Sequence, residues 1–269
     1  MTQEYIHGFS REEQERLIRQ AEFLKPYIYE KIQMTNVNHL LEVGCGVGAQ
    51  TKILLEIFPH LKITGVDLSK DQLAVAEKRL KKYIDEGRLK LIEADASKLN
   101  ILDDESFDGA FLCWFLEHVP KPVAVLKEVK NKLKPGSPLW STEVMNWTLF
   151  VEPYSPNLLK YWFEFNDYQW SLKGNPFIGA QMGNYLTEAN YSKVKTDVRT
   201  WFWDDRYPVQ RKDFFDELRD LLYSAADGLK AEGRVDQKLI DGMKQEMDER
   251  SVGQGSVLYM SWMRSEALA

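Results

Sequence analysis

A glycine-rich turn between two apolar segments most constrains the fold of this 269-residue chain. Residues 42–48, which read Glu-Val-Gly-Cys-Gly-Val-Gly, follow the apolar pair Leu40-Leu41, and a second apolar run ends at Asp67. A strand that enters such a turn, followed by a helix and a second strand with a terminal carboxylate, builds a nucleotide crevice at the edge of an α/β sheet. The sequence therefore predicts a Rossmann-like nucleotide-binding protein.

Hydrophobic periodicity predicts regular alternation of strands and helices in the first half, and hence a doubly wound, mostly parallel sheet. A leading helix is predicted over 11–31, kinked or broken at Pro26. We expect seven strands in all, at 39–43, 62–67, 89–94, 107–113, 138–144, 193–203 and 255–263. Helices are predicted at 49–57, 70–84 and 123–133, with a helical pair in 208–249.

These elements divide the chain into four parts. We expect an N-terminal helical lid at 1–36, a nucleotide-binding core at 37–145, an aromatic cap insertion at 146–190, and the remaining strands at 191–269 with a helical insertion at 208–249. Ten aromatic residues lie between Trp140 and Trp170. They could wall a pocket for an apolar or aromatic substrate, or form the core of the insertion or an oligomer contact.

Composition narrows the class of protein. A formal charge of −6 disfavours a nucleic-acid partner, because such binding relies on a basic surface. No apolar run approaches 18 residues and the first ten residues lack a signal-peptide pattern, so we expect no membrane association. Cys45 and Cys113 have neither disulfide nor metal-ligand spacing, which predicts a cytoplasmic protein without a metal.

Charge distinguishes between two cofactors. Gly44, Gly46 and Ala49 also satisfy the dinucleotide pattern, so an NAD-dependent oxidoreductase remains open. Glu42, however, would repel a pyrophosphate, whereas it could hold the ammonium group of S-adenosylmethionine directly or through water. Asp67 could accept hydrogen bonds from both ribose hydroxyls. The sequence therefore favours S-adenosylmethionine.

The segment Leu40–Glu143 resembles the class I S-adenosylmethionine-dependent methyltransferases, in particular the branch of quinone-biosynthesis and small-molecule enzymes. Successive motifs of that family match residues 42–48, 65–69, 94–96, 106–111 with 116–119, and 133–136. The resemblance implies methyl transfer with S-adenosylhomocysteine as product. It implies a cofactor site made of Glu42, Gly44, Cys45, Gly46, Gly48, Gln50, Asp67, Leu68, Asp95, Ala96 and Cys113.

The resemblance also implies how an acceptor is bound. An in-line displacement needs orientation and exclusion of water, and a base only where the acceptor must lose a proton. His118 is the candidate base or orienting group, although it could instead shape its loop or contact the cofactor. The segment 5–10 resembles a leader that folds over the cofactor, so the expected substrate or lid residues are Tyr5, His7, Trp114, Phe115, Trp147 and Tyr168.

The predicted function is methylation of a small, apolar or aromatic acceptor at oxygen, nitrogen or carbon by a monomer or homodimer. A nucleic-acid or protein methyltransferase is a weaker alternative, since 113–116 reads Cys-Trp-Phe-Leu and lacks the Asn-Pro-Pro-Tyr type of loop. An NAD-dependent oxidoreductase and a nonenzymatic module that binds S-adenosylmethionine also remain open.

Overall fold

One eight-stranded sheet organises the chain in the computed structural model, which describes Ile6 and residues 10–269. Its strands are β1 His39–Val43, β2 Lys62–Asp67, β3 Leu89–Glu93, β4 Gly109–Cys113, β5 Pro138–Val144, β6 Phe150–Glu152, β7 Ser192–Trp203 and β8 Val257–Leu268. The order is β3-β2-β1-β4-β5-β8-β6, and β7 pairs with the other edge of β8. The first five strands are parallel, whereas β6 and β7 pair antiparallel with β8, as does β5.

Helices cover both faces of the sheet. They are α1 Arg11–Ile28, α2 Ala49–Ile57, α3 Lys70–Arg79, α4 Lys81–Asp85, α5 Pro122–Lys132, α6 Pro156–Ser171, α7 Met182–Glu188, α8 Pro208–Ser224, α9 Ala226–Ala231 and α10 Gln237–Val252. Leu40 belongs to one buried hydrophobic cluster and Leu41 to a second. Successive strand residues point to opposite faces, so the two clusters lie on opposite sides of the sheet.

Local sequence explains several helix starts. Ser10 caps α1 by accepting a hydrogen bond from the backbone N–H of Glu13 at 3.1 Å, and Ser69 caps α3 through Gln72 in the same way. Proline occupies the first turn of α5, α6 and α8. Its fixed φ suits that position, where its missing N–H has no helical partner.

The predicted mixed α/β fold with a mostly parallel sheet is confirmed, with differences in particular elements. Strand β6 was not predicted, so the sheet has eight strands rather than seven. The helix predicted over 70–84 is interrupted at Leu80, a buried residue against the glycine turn. Helix α1 continues through Pro26 to Ile28, because a proline in the last turn removes few helical hydrogen bonds.

The second half shows two further differences. The segment 208–252 forms three helices rather than a pair, and β8 extends to Leu268 instead of ending at Met263. The longer β8 pairs with nearly all of β7 on one edge and with β5 and β6 on the other. Strand β8 therefore connects the parallel core to the part of the chain that carries the aromatic residues.

Candidate active site

The turn between β1 and α2 is shaped by three glycines with positive φ. Their φ values are 74° at Gly44, 50° at Gly46 and 71° at Gly48, a region that residues with a Cβ rarely adopt. A Cβ on Gly44 would lie 2.2 Å from Cδ2 of Phe115, and one on Gly48 would lie 2.5 Å from Cδ1 of Leu80. These two glycines therefore allow close packing beneath the turn.

Gly46 has a different role from its two neighbours. A Cβ added there would meet no atom within 4 Å. Its backbone N–H donates to Oδ2 of Asp67 at 2.8 Å, while the N–H of Ser69 donates to Oδ1 at 2.9 Å. Burial raises the pKa of Asp67, and these N–H groups oppose the shift. The glycine turn and the end of β2 are thereby held together around one carboxylate.

Asp95 follows β3 and lies at the same edge of the sheet. Its Oδ1 accepts from the hydroxyl of Ser97 at 2.7 Å and from the backbone N–H of Ser97 at 2.8 Å. The hydroxyl is the main cause of a lowered pKa for Asp95, which therefore remains a carboxylate at neutral pH. Leu68, which follows β2, is 54% exposed, and Ala96 is buried.

These groups line a cavity of about 760 Å³ at the carboxyl ends of the parallel strands. Twelve of the residues predicted to bind cofactor, acceptor or lid lie on its wall, namely Gly44, Cys45, Gly46, Gln50, Asp67, Leu68, Asp95, Ala96, Cys113, Trp114, Phe115 and His118. Ile6 also contributes to the wall. Tyr5 and His7 lie outside the described residues.

Glu42 is buried behind this wall and is not part of it. Burial raises its pKa to about 8, and its Oε2 has no hydrogen-bond partner among the described residues. Nearby, the hydroxyl of Tyr29 donates to the side-chain oxygen of Gln50 at 2.5 Å. This contact orients the side chain of Gln50.

The loop after β4 is held by a carboxyl group that was not predicted to belong to the site. Glu143, fully buried on β5, accepts backbone hydrogen bonds from Phe115, Leu116 and Glu117 at 3.4, 3.0 and 3.3 Å. Burial raises its pKa to about 8. The signal in the sequence was a single glutamate in an otherwise uncharged strand. Glu143 fixes the loop that carries Trp114 and His118.

His118 lies where two cavities meet. Its Nε2 is 3.7 Å from Oε1 of Glu117, whose Oε2 accepts from the amide of Gln169 at 3.0 Å. Burial lowers the pKa of His118, and Glu117 opposes the shift only in part. The imidazole is therefore neutral at pH 7 and able to accept a proton.

An inner cavity of about 120 Å³ adjoins the larger one. The two share the wall residues Leu17, Gln20, Trp114, His118 and Gln169. Most of the other side chains of the inner wall are hydrophobic, and its additional rings are Phe23, Trp162, Phe165, Trp201, Phe214 and Trp262. Apart from Trp162 and Phe165, these rings lie outside the aromatic run of residues 140–170.

Two predicted acceptor contacts lie elsewhere. Trp147 is 64% exposed and stacks on Phe177 at 4.9 Å between ring centroids. Tyr168 packs beneath the guanidinium of Arg234, 5.6 Å from the ring centroid. Neither residue lines either cavity, so we expect neither to contact an acceptor bound there.

Comparison with known families identifies the core. Residues 41–140 match a methyltransferase domain family, and the resemblance to class I methyltransferases is confirmed. An O-methyltransferase of Penicillium expansum is 31% identical over 60% of this chain and 55% of its own length. A demethylmenaquinone methyltransferase of Staphylococcus aureus is 33% identical over 41% of this chain and 45% of its own length. A sterol 4-C-methyltransferase of Caenorhabditis elegans is 30% identical over 41% of this chain and 32% of its own length. The chain thus spans about a third to just over half of these relatives.

Solved structures extend the likeness to nearly the whole chain. Phosphoethanolamine N-methyltransferase 2 of Haemonchus contortus superposes with a TM-score of 0.58 at 16% identity, over 95% of this chain and 57% of its own. An S-adenosylmethionine-dependent methyltransferase of Archaeoglobus fulgidus superposes with a TM-score of 0.51 at 14% identity, over 95% of this chain and 94% of its own. At these identities the comparison establishes the fold, which is that of the class I enzymes.

Two features of the described residues bear on other classes of site. None of the helices among them is long and apolar enough to cross a bilayer. No group of three or more His, Cys, Asp or Glu side chains within the same residues could hold a metal ion.

Proposed function

We propose that this protein is an S-adenosylmethionine-dependent methyltransferase that acts on a small-molecule acceptor. The observation that carries the proposal is the arrangement of Asp67, Gly46 and Asp95 around one large cavity that meets an aromatic-walled inner cavity at His118. The relatives' names support it, since they include O- and C-methyltransferases. The small inner cavity favours a small acceptor over a nucleic acid or a protein.

The residues present fit this cofactor. Asp67 would accept the ribose hydroxyls, and Oδ2 of Asp95 would accept the adenine amino group. The unpartnered Oε2 of Glu42 suits the ammonium of the methionyl part, with water between them because Glu42 lies behind the wall. Open space at Gly46 lets the backbone approach a ligand closely.

The bound cofactor supplies a methyl group on a positively charged sulfur. The chain's own contribution is orientation and exclusion of water by the rings of the inner wall. His118, neutral at pH 7, accepts a proton from an acceptor that must lose one as it reacts. Glu117 then stabilises the resulting imidazolium.

Titration calorimetry with S-adenosylhomocysteine, and with NADH as the rival ligand, tests the cofactor. We expect micromolar binding of S-adenosylhomocysteine to the wild type, equivalent to about −8 kcal/mol. Asp67→Ala removes two hydrogen bonds to a charged group, so we expect binding about a hundredfold weaker or worse. Asp103→Ala, at an exposed position away from both cavities, is the matched control.

Binding of NADH without S-adenosylhomocysteine would refute the proposal and favour the oxidoreductase. Because Asp67 also holds the glycine turn, thermal melting of the variant must accompany the titration. A folded Asp67→Ala protein that binds S-adenosylhomocysteine like the wild type would show that the carboxylate has only a structural role.

We also infer a cytoplasmic location. Both cysteines are free, with Cys45 buried in the glycine turn, and such thiols persist in a reducing compartment. Fractionation of cells that express the full-length protein tests this, and recovery in the membrane or secreted fraction would contradict it.

A further inference from the structure

Three tryptophans and one glutamate of the inner wall each have a buried polar side-chain atom without a partner among the described residues. Trp114, Trp201 and Trp262 all line this cavity, and the indole Nε1 of each is buried without a hydrogen-bond acceptor in the described part of the chain. Oε2 of Glu217, on the same wall, is likewise buried and unpaired. Leaving such groups unpaired is costly. Three such donors and one carboxyl oxygen among the residues of so small a cavity point to a polar ligand.

The faces of two of these indoles are already occupied. The guanidinium groups of Arg199 and Arg264 lie 5.9 and 5.5 Å from the ring centroid of Trp262. Trp201 stacks on Trp203 at 6.3 Å and packs against Phe214 at 5.1 Å. Little ring face is left for a cation, so the indole edges, with their N–H groups, are what these residues can offer a ligand.

Charged groups of both signs surround the cavity. Arg16 on the wall is paired with Glu13 through two hydrogen bonds of 2.7 Å. Glu117 and Glu217 also lie on the wall, and Arg199 and Arg264 lie behind Trp262, where Arg199 is paired with Glu30. An ammonium cannot accept hydrogen bonds from the indole N–H groups, so a neutral ligand with oxygen atoms fits this wall better.

We propose that the inner cavity binds a neutral aromatic or enolic acceptor whose oxygens accept hydrogen bonds from Trp201 and Trp262 and whose hydroxyl donates to Glu217. This inference rests on the proposed function and narrows the methylated atom to oxygen. In the transfer the oxygen of a second hydroxyl bonds to the methyl carbon, the electron pair of the carbon–sulfur bond stays on sulfur, and the proton of that second hydroxyl passes to His118.

Indole resonances provide a direct test. We would label the tryptophan nitrogens with ¹⁵N, saturate the larger cavity with S-adenosylhomocysteine, and titrate catechol or benzylamine at millimolar concentrations, where ligands of this size bind. Catechol carries two hydroxyls, and benzylamine is an ammonium of similar size. We expect catechol to shift the N–H signals of Trp201 and Trp262 but not that of exposed Trp170, and benzylamine to shift none of them.

Variants separate recognition from folding. Glu217→Gln and Trp262→Phe should each lower the affinity for catechol about two- to tenfold, which is the contribution of one hydrogen bond. Both variants should leave the affinity for S-adenosylhomocysteine unchanged. Trp170→Phe should change neither. If Trp262→Phe does not fold, the wild-type shifts and Glu217→Gln still decide the question.

Two kinds of failure are distinguishable. If S-adenosylhomocysteine binds but catechol shifts neither indole, or benzylamine shifts them instead, the oxygen-acceptor inference is overturned while the methyltransferase proposal stands. Undiminished catechol binding by Glu217→Gln would likewise overturn it. If S-adenosylhomocysteine itself fails to bind, the proposed function falls, and this inference with it.

Discussion

The three glycines of the turn should respond differently to the same substitution by alanine. Gly44 and Gly46 both have positive φ, but an added Cβ would collide with Phe115 at the first position and meet open space at the second. Gly87, at φ 69° in a remote turn with nothing within 4 Å of an added Cβ, shows the backbone effect alone. Alanine at Gly44, Gly46 and Gly87 therefore separates packing, ligand contact and backbone strain.

The expected magnitudes follow from that geometry. Left-handed backbone costs a residue with a Cβ about 1–2 kcal/mol, which is the expected loss of stability for Gly87→Ala and Gly46→Ala. For Gly44→Ala the 2.2 Å approach to Phe115 forces the ring to move, which adds about 1–3 kcal/mol. At this chain length, each kcal/mol lowers the melting temperature by roughly 2–4 °C.

Urea unfolding and calorimetry with S-adenosylhomocysteine measure the two effects on the same samples. Gly46→Ala should be as stable as Gly87→Ala yet bind S-adenosylhomocysteine at least about tenfold more weakly, because its methyl group occupies space on the cavity wall. Gly87→Ala should bind like the wild type. Equal stability of Gly44→Ala and Gly87→Ala would refute the packing argument, and unchanged binding by Gly46→Ala would refute the contact with the cofactor.

Three further substitutions test the buried titratable groups. Burial raises the pKa of Glu143 from an ordinary 4.5 to about 8. Between these two pH values the folded chain keeps a proton that the unfolded chain has lost. The free energy of unfolding therefore falls as pH rises, by up to about 1.4 kcal/mol per pH unit. Glu143→Gln should reduce this slope in urea unfolding between about pH 5 and about pH 8, and an unchanged slope would contradict the shift. In the wild type we expect the affinity for S-adenosylhomocysteine to increase as pH rises towards about 8, where Glu42 ionises. Glu42→Gln should lower this affinity and abolish its increase with pH, which calorimetry measures. Glu143→Gln should retain the increase. Once an acceptor is found, His118→Gln should lower kcat about 10²- to 10⁴-fold while changing the affinity for S-adenosylhomocysteine far less, and a smaller loss of kcat would leave His118 an orienting role.

Much of the parallel core was predictable because its information is local. Each βα unit has its own hydrophobic periodicity, its own turn residues and its own helix-capping residue. Ser69, for example, caps α3. Strand β6 was missed because three residues next to Pro153 give no periodic signal. The break at Leu80 was missed for another reason, since it depends on packing against Gly48, which is distant in the sequence.

The predicted cofactor residues also come from consecutive units, and all but Glu42 and Gly48 reached the wall of the larger cavity. Motif order was enough to place them, because the carboxyl ends of neighbouring parallel strands meet at one edge. The position of Glu42 behind the wall required the structure. A strand pattern indicates that a residue is buried but does not indicate what lies between it and a ligand.

The inner cavity is a harder problem because its wall is assembled from distant elements. Arg16 and Leu17 come from α1, Trp162 from α6, Trp201 from β7 and Trp262 from β8. Periodicity predicts that each of these residues is buried, but not that they line the same cavity. The high density of aromatic residues along the sequence instead favoured Trp147 as an acceptor contact.

The same assembly separates the two recognition tasks. Among the described residues only five are common to both walls, so most of the inner wall can change without altering the cofactor cavity. Substitutions at Trp201, Trp262 or Glu217 should therefore alter the choice of acceptor at constant cofactor affinity. Substitutions at the shared Trp114 should affect both kinds of binding together. A fold of this kind can keep one cofactor while its acceptor changes, because most residues that line only the inner cavity come from β7, β8 and the helices packed on them, whereas the βα units carry the cofactor residues.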